Sequence, residues 1–509
     1  MQAEATGGGT GPRTRTATDH HRVVIVGAGF GGIGVAIRLR QEGLHDVVIL
    51  EKEDDLGGTW HVNTYPGCQC DVPSLLYSLA VAPNPDWTRT FAPQPEIEEY
   101  LRSVADRFGL RRLTRFGTEM TGARWEAAAT RWVVGTTGGT LTVDMLVVAT
   151  GPLSAPSLPA IAGLDRFEGT VFHSARWRHD HPLAGERVAV IGTGASAIQF
   201  VPQIQGDVES LTVFQRTPPW IVPRPDRAYR PWENRLFRRV PAAMRLARAR
   251  IYWLRETMVV MFAKYPRLAR YAASRARRHL EEQVADAGLR ARLTPDHTLG
   301  CKRVLLSNDY YPALCRPDVE LVTDPIREVL PHGIATEAGD EYPVDTIILG
   351  TGFEAAEPPI ARRIRAADGR TMREHWNGSA RAYLGSTVAG FPNLFLVTGP
   401  NTGLGHSSMV FMMESQCNYL VDALKTMSAR SLASVDVTPD AMAAFNDEIQ
   451  GKLGRSVWGT GCSSWYLDSS GRNTTMWPDF TWTYRRRTRR FDVEHYTVGR
   501  PSGTPIPSR

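Results

Sequence analysis

No stretch of about 20 uninterrupted apolar residues occurs among the 509 residues, so a membrane-spanning helix and integral membrane association are not expected. Cysteine is scarce. The six present, Cys68, Cys70, Cys301, Cys315, Cys417 and Cys462, show no zinc-like pairing. A single residue separates Cys68 from Cys70, whereas a dithiol redox motif has two between its cysteines. The expectation is therefore six reduced, structural thiols in a cytoplasmic protein. Residues 1–21 are Gly/Thr-rich and lack the apolar centre of a secretory signal, which predicts a disordered leader. Neither charge sign dominates: 59 Lys and Arg against 53 Asp and Glu leave +6. The cations are unevenly placed, however, with arginine clusters between Arg235 and Arg292 and again over 485–490. Such runs could meet an anionic membrane or a nucleic acid. The plainer reading is solvated helix faces plus attraction for a phosphate-bearing cofactor. Catalytic Ser/His/Asp arrangements, metal-ligand clusters and nucleic-acid motifs are not found, so neither a metal nor a nucleic-acid partner is expected.

What the chain does contain is two glycine fingerprints, each at the end of an apolar strand. Val23-Val24-Ile25-Val26 runs into Gly27-Ala28-Gly29-Phe30-Gly31-Gly32, a GxGxxG turn. Glycines at 27, 29 and 32 permit the tight turn and let backbone approach a pyrophosphate seated on the following helix N-terminus. A second strand, Val47-Val48-Ile49-Leu50, ends in Glu51, placed where an acid accepts ribose hydroxyls. The second unit is Val188-Ala189-Val190-Ile191, then Gly192-Thr193-Gly194-Ala195-Ser196-Ala197, a GxGxxA turn. Its partner strand, 211–214, ends in Gln215-Arg216-Thr217 with no acid. A carboxylate there would repel a 2′-phosphate, whereas a guanidinium grips it, so this unit favours NADPH over NADH.

At this length two or more domains are expected. The first unit closes with the strand 145–148 and the Ala149-Thr150-Gly151 turn, and a proline-rich connector leads to the second. From Pro223 to about Thr298 the composition turns Arg- and Ala-rich with no strand signature, which predicts a helical insertion. The sheet pattern resumes at 319–322 and 346–349, and the chain then returns to the first domain through 391–397 and a helix over 409–427.

Two further segments carry a resemblance. Gly57-Gly58-Thr59-Trp60 is followed by Tyr65-Pro66-Gly67 and then Asp71, and Phe167-Glu168-Gly169 by His173 and Trp177. With these, the chain resembles the type I Baeyer–Villiger monooxygenases among the class B flavoprotein monooxygenases over nearly all of 22–490. Arg178 departs from the pattern, where the family usually has Pro or Asp. The resemblance implies an α/β fold of two Rossmann-like dinucleotide-binding domains, one for FAD and one for NADP, with the helical insertion in the NADP domain. The expected division is a leader over 1–21, the FAD domain over 22–155 and 386–490, the NADP domain over 156–222 and 300–385, the insertion over 223–299, and a tail over 491–509. It also implies that NADPH reduces FAD, that oxygen adds at the flavin C4a, and that the resulting peroxide anion converts a ketone to an ester or lactone. Gly58, Thr59, Trp60 and Asp71 join the FAD-binding set. Arg303 supplies the fixed cation, Asp71 orients it, and Lys302 joins Arg216 and Thr217 at the 2′-phosphate. Trp465, in Ser464-Trp465-Tyr466, lies against NADP or else packs in the core, and His173 is a linker residue. The partners are a small ketone and molecular oxygen; which ketone, and the oligomeric state, stay open. The alternatives are oxygenation at nitrogen or sulfur, a disulfide reductase, and a flavin-binding sensor or scaffold without turnover.

Overall fold

The computed structural model describes residues 19–500. Strands Asp19–Val26 and Val47–Leu50 pair in parallel, Val23 beside Val47 and Val26 beside Leu50, and helix Phe30–Gln41 connects them. Val23, Val24 and Ile25 are completely buried, as a parallel strand covered on both faces must be. Each aliphatic side chain so enclosed contributes about 1.5–3 kcal/mol. From one edge the eight-stranded sheet runs Ile364–Arg365, Met120–Glu126, Arg131–Thr136, Gly139–Val148, Asp19–Val26, Val47–Leu50 and Thr114–Arg115, with Leu394–Leu396 against the end of Gly139–Val148.

The second sheet is wholly parallel, in the order Val319–Val322, Ser210–Phe214, Arg187–Ile191, Thr346–Leu349 and Thr170–His173. Helix Ala197–Ile204 follows its fingerprint. The insertion is tied off at its base by two short strands, Ile221–Val222 and Leu305–Leu306, which pair in parallel. Between them lie helices Pro231–Arg239, Pro241–Glu256, Ala269–Gln283 and Ala287–Arg292. Proline at the first position opens the first two of these helices, where its missing N–H costs nothing.

Several boundaries differ from the sequence reading. The first strand begins at Asp19, inside the stretch expected as a leader, because His20 and His21 continue the pairing with Thr142 and Val143; residues 1–18 lie outside the described residues. Ile364–Arg365, within the stretch assigned to the NADP domain, pairs with Ala123–Arg124 of the first sheet. Strand Tyr496–Gly499, in the expected tail, pairs with Ser434–Val437; residues 501–509 lie outside the described residues. The antiparallel strands Met120–Glu126 and Arg131–Thr136, which bring Trp125 opposite Trp132, were not expected from the sequence. Among the described residues no helix is long and apolar enough to cross a membrane.

Candidate active site

Gly27 sits at φ +103°, and a Cβ there would lie 2.7 Å from the carbonyl oxygen of Ala149. Only glycine tolerates both the backbone angle and that approach. A Cβ on Gly29 would lie 3.5 Å from Cα of Gly58, and the Gly57 N–H donates to the Ala28 carbonyl at 3.1 Å. The fingerprint and the Gly57-Gly58 turn thus press bare backbone together, and Gly32 packs a further glycine against the carbonyl of Gly27. Glu51 is buried. Its Oε2 accepts the N–H of Ala28 at 2.7 Å and its Oε1 the N–H of Glu53 at 3.0 Å. Each oxygen keeps a lone pair for a further donor, which is what ribose hydroxyls need. The turn of helix Thr59–Val62 follows; Trp60 is buried and donates from Nε1 to the Tyr77 hydroxyl at 3.0 Å.

The second cradle repeats the first. Gly192, at φ +107°, presses on Gly350 of the Gly350-Thr351-Gly352 turn, its virtual Cβ 2.5 Å from that carbonyl oxygen. Gly194 is open, with nothing closer to its virtual Cβ than 3.9 Å. Ser196 precedes helix Ala197–Ile204 without using its hydroxyl as a cap, and Ala197 is buried beneath it. Arg216 is exposed at the strand end, and the Thr193 hydroxyl donates to the Thr217 carbonyl at 3.5 Å. Lys302 stands beside Arg216: burial and then the arginine's charge hold its pKa below the ordinary lysine value. Two cations that repel each other at the mouth of a glycine cradle fit an anion of high charge such as a 2′-phosphate.

Asp71 and Arg303 meet between the cradles. Arg303 donates from Nε to Asp71 Oδ2 at 2.8 Å and also from Nη2 to the same oxygen. A quarter to a third of each side chain remains exposed, so the pair stays within reach of solvent and of a small molecule. Burial acts to raise the Asp71 pKa, but the charge and hydrogen bond of Arg303, with the charges of Arg255 and Arg224, hold it below the carboxylate range. The Asp71 charge raises the Arg303 pKa against burial, so both stay ionised. Sequence reasoning gave Tyr466 no role, yet it is 1% exposed and faces Arg303, its hydroxyl pushed up to about 12 by burial despite that charge. Arg224 and Arg255 were also missed: they approach Asp71 only because the insertion folds back. Trp465 is 43% exposed, so the core-packing reading does not hold for it; the adjacent Tyr466 takes that place.

The expectation of six reduced thiols is corrected. Cys301 and Cys462 form a disulfide that ties the segment carrying Lys302 and Arg303 to the loop carrying Trp465 and Tyr466. They lie 161 residues apart, and no spacing rule could have paired them. Cys68, Cys70, Cys315 and Cys417 are free. Burial pushes the Cys68 thiol up to about 12 and raises that of Cys70, which keeps both unreactive.

The segment leading to Asp71 crosses between the two sheets. Tyr65 donates to Gln199 Oε1 at 3.0 Å, and Gly67, at φ +76°, would place a Cβ 2.7 Å from the Gln199 carbonyl oxygen. His173 ends the edge strand beside Leu349, its Nδ1 accepting the Ala175 N–H at 3.0 Å, and its ring lies edge-on to Phe353. Trp177 packs against Phe172 and Phe200. Arg178, the departure from the linker pattern, is exposed and pairs with Asp180 at 2.7 Å, so it leaves that packing undisturbed.

The model of the pyridine nucleotide-disulphide oxidoreductase family matches residues 24–252. A Baeyer-Villiger monooxygenase of Streptomyces coelicolor is 50% identical over 96% of this chain and 94% of its own length. One of Pseudomonas aeruginosa is 48% identical over 95% and 92%. Among solved structures, the closed form of a cyclohexanone monooxygenase superposes with TM-score 0.85 at 30% identity, covering 95% of this chain and all of that one. A steroid monooxygenase bound to NADP gives 0.84 at 32% with the same coverage. The two glycine cradles, the ion pair between them and this likeness along the whole chain agree: the protein belongs to the Baeyer–Villiger monooxygenases.

Proposed function

We propose that this chain uses NADPH and molecular oxygen to insert one oxygen atom beside the carbonyl of a ketone, giving an ester or lactone, NADP and water. The observation that carries the reading is the partly exposed Arg303–Asp71 pair, its carboxylate at the end of the segment that runs from the FAD cradle onto the helix of the NADP cradle. Gly27, Gly29, Gly32, Glu51, Gly58, Thr59 and Trp60 hold FAD; Gly192, Gly194, Ser196 and Ala197 hold the pyrophosphate of NADPH, with Arg216, Thr217 and Lys302 on its 2′-phosphate. Bound FAD supplies hydride acceptance and oxygen activation. Arg303 supplies a cation that cannot lose its proton, set where negative charge develops on oxygen. Asp71 takes its Nε and Nη2 and so fixes the plane of the guanidinium, leaving Nη1 for the reacting oxygen. Trp465, exposed beside Tyr466, lies against NADPH. The ketone lies between the insertion and the loops over 404–413 and 458–468. A cytoplasmic setting suits the demand for NADPH, but the Cys301–Cys462 disulfide removes the reduced thiols as a ground for it.

The names of the solved relatives make cyclic ketones the first members of a substrate panel, followed by linear and aryl ketones. Purified yellow protein in air should consume NADPH faster with a productive ketone and yield the ester or lactone. Arg303→Ala should still let NADPH bleach the flavin, yet give no ester and divert oxygen to hydrogen peroxide. Ester formation by Arg303→Ala at the wild-type rate, or oxygenation of amines and sulfides with no ketone product, would overturn the reading.

A further inference from the structure

Helices Pro231–Arg239 and Pro241–Glu256 turn one face to the protein and leave the other bare. On the inner face Phe237 and Met244 are buried, Arg248 donates to the carbonyls of Leu75 and Ser78, and Tyr252 stacks on Phe411 at 5.0 Å. On the outer face Leu246 is 73% exposed, Trp253 58%, Leu254 69% and Trp232 56%. Of the thirteen large hydrophobic side chains that stand exposed among the described residues, nine fall between Trp232 and Tyr271. Leu246, Arg250, Trp253 and Leu254 recur at helical spacing, so they form one stripe rather than scattered exceptions.

The charge of this stretch is as one-sided as its hydrophobicity. From Trp232 to Arg278 there are thirteen Lys and Arg and two acids. Both acids are occupied elsewhere: Glu233 receives the guanidinium of Arg227, and Glu256 is buried, accepting from Thr481. Arg235, Arg239, Arg245 and Arg250 stand exposed.

We propose that this outer face docks on an anionic lipid surface. Apolar side chains flanked by arginines on a helix that cannot span are what an interfacial helix presents to headgroups and the first carbons of the acyl chains. Charge complementarity selects the lipid. A second copy meeting this face about a twofold axis would set arginine against arginine. A nucleic acid would satisfy the cations but leave Leu246 and Leu254 facing phosphate or water. The inner side of the same helix carries Arg255, whose charge acts on Asp71. The lipid face and the reaction centre therefore lie on two sides of one helix, which suits a ketone drawn from the lipid phase.

The test is flotation of the flavin-loaded, full-length protein with vesicles of phosphatidylcholine alone and of phosphatidylcholine containing phosphatidylglycerol. Binding is expected to the second kind only and to weaken as salt shortens the range of the charges. Replacing Leu246, Trp253 and Leu254 together by Ser should weaken it about tenfold or more. Arg245→Gln with Arg250→Gln should also weaken it and flatten its salt dependence. Both variants should keep bound flavin and wild-type turnover of a water-soluble ketone, which separates loss of docking from loss of fold. The proposal is overturned if anionic vesicles leave the protein in solution, if the Ser variant floats as well as wild type, or if its only effect is to dissolve a dimer.

Discussion

At the scale of single residues, the cations differ in what the fold sets beside them. Arg303 is matched to Asp71, whereas Arg216 and Lys302 are left facing each other. Two neighbouring cations, of which Lys302 also feels the charge of Asp296, have a cost that a bound anion removes. Arg216→Ala is therefore expected to raise the KM for NADPH by roughly 10- to 150-fold, one charge-assisted hydrogen bond, with little change for NADH. Steady-state kinetics with both nucleotides check this, and an equal response would take Arg216 away from the phosphate. The strand-end positions of Glu51 and Arg216 and the contact between Asp71 and Arg303 were legible in the sequence because each stands at a fixed offset from a fingerprint or inside a family segment. Tyr466 was not. Its meaning lies in facing an arginine 163 positions earlier, a proximity made by folding and by the Cys301–Cys462 bridge.

At the scale of elements, the parallel strands announce themselves as short apolar runs. The antiparallel pair Met120–Glu126 and Arg131–Thr136 does not, because its half-buried alternation is broken by a bulge near Gly122 and a left-handed Thr130 at the turn. The disulfide joins two elements that no local pattern connects. Thiol titration of denatured, unreduced protein should therefore count four thiols and rise to six after reduction; six at the outset would mean that the bridge does not form. Another element carries a pH signature. Asp436, on strand Ser434–Val437, is raised to about 6, because burial outweighs its bonds from the backbone of Gly390 and Phe391. A carboxyl with a raised folded pKa lends stability at low pH and loses it as pH climbs from its unfolded value, 3.8, through about 6. Asp436→Asn should thus leave Tm unchanged near pH 4 and raise it above pH 7. A variant that melts lower at pH 8 would show that the ionised form is favoured in the fold.

At the scale of the whole molecule, the reaction requires two dinucleotides to meet at one place, and the sequence shows two cradles without showing how they are registered. The segment Tyr65–Asp71 supplies that register. It leaves the FAD cradle after Trp60, lays Gly67 on the first turns of helix Ala197–Ile204, and ends in the carboxylate that holds Arg303. The closest approach is at Gly67, where φ is +76° and any Cβ would lie 2.7 Å from the Gln199 carbonyl oxygen and 2.8 Å from Cγ of Gln203. A side chain there must either twist the segment or push the NADP helix away from it. The FAD cradle, formed by residues 27–60 and closed by Ala149, takes no part in that contact. Gly67→Ala is accordingly expected to purify with a full complement of flavin, while flavin reduction by NADPH slows and the share of reducing equivalents lost to hydrogen peroxide grows. Stopped-flow reduction and a product-to-NADPH ratio measure both. If Gly67→Ala reduces its flavin and makes ester at wild-type rates, the two cradles are aligned by contacts other than this crossing.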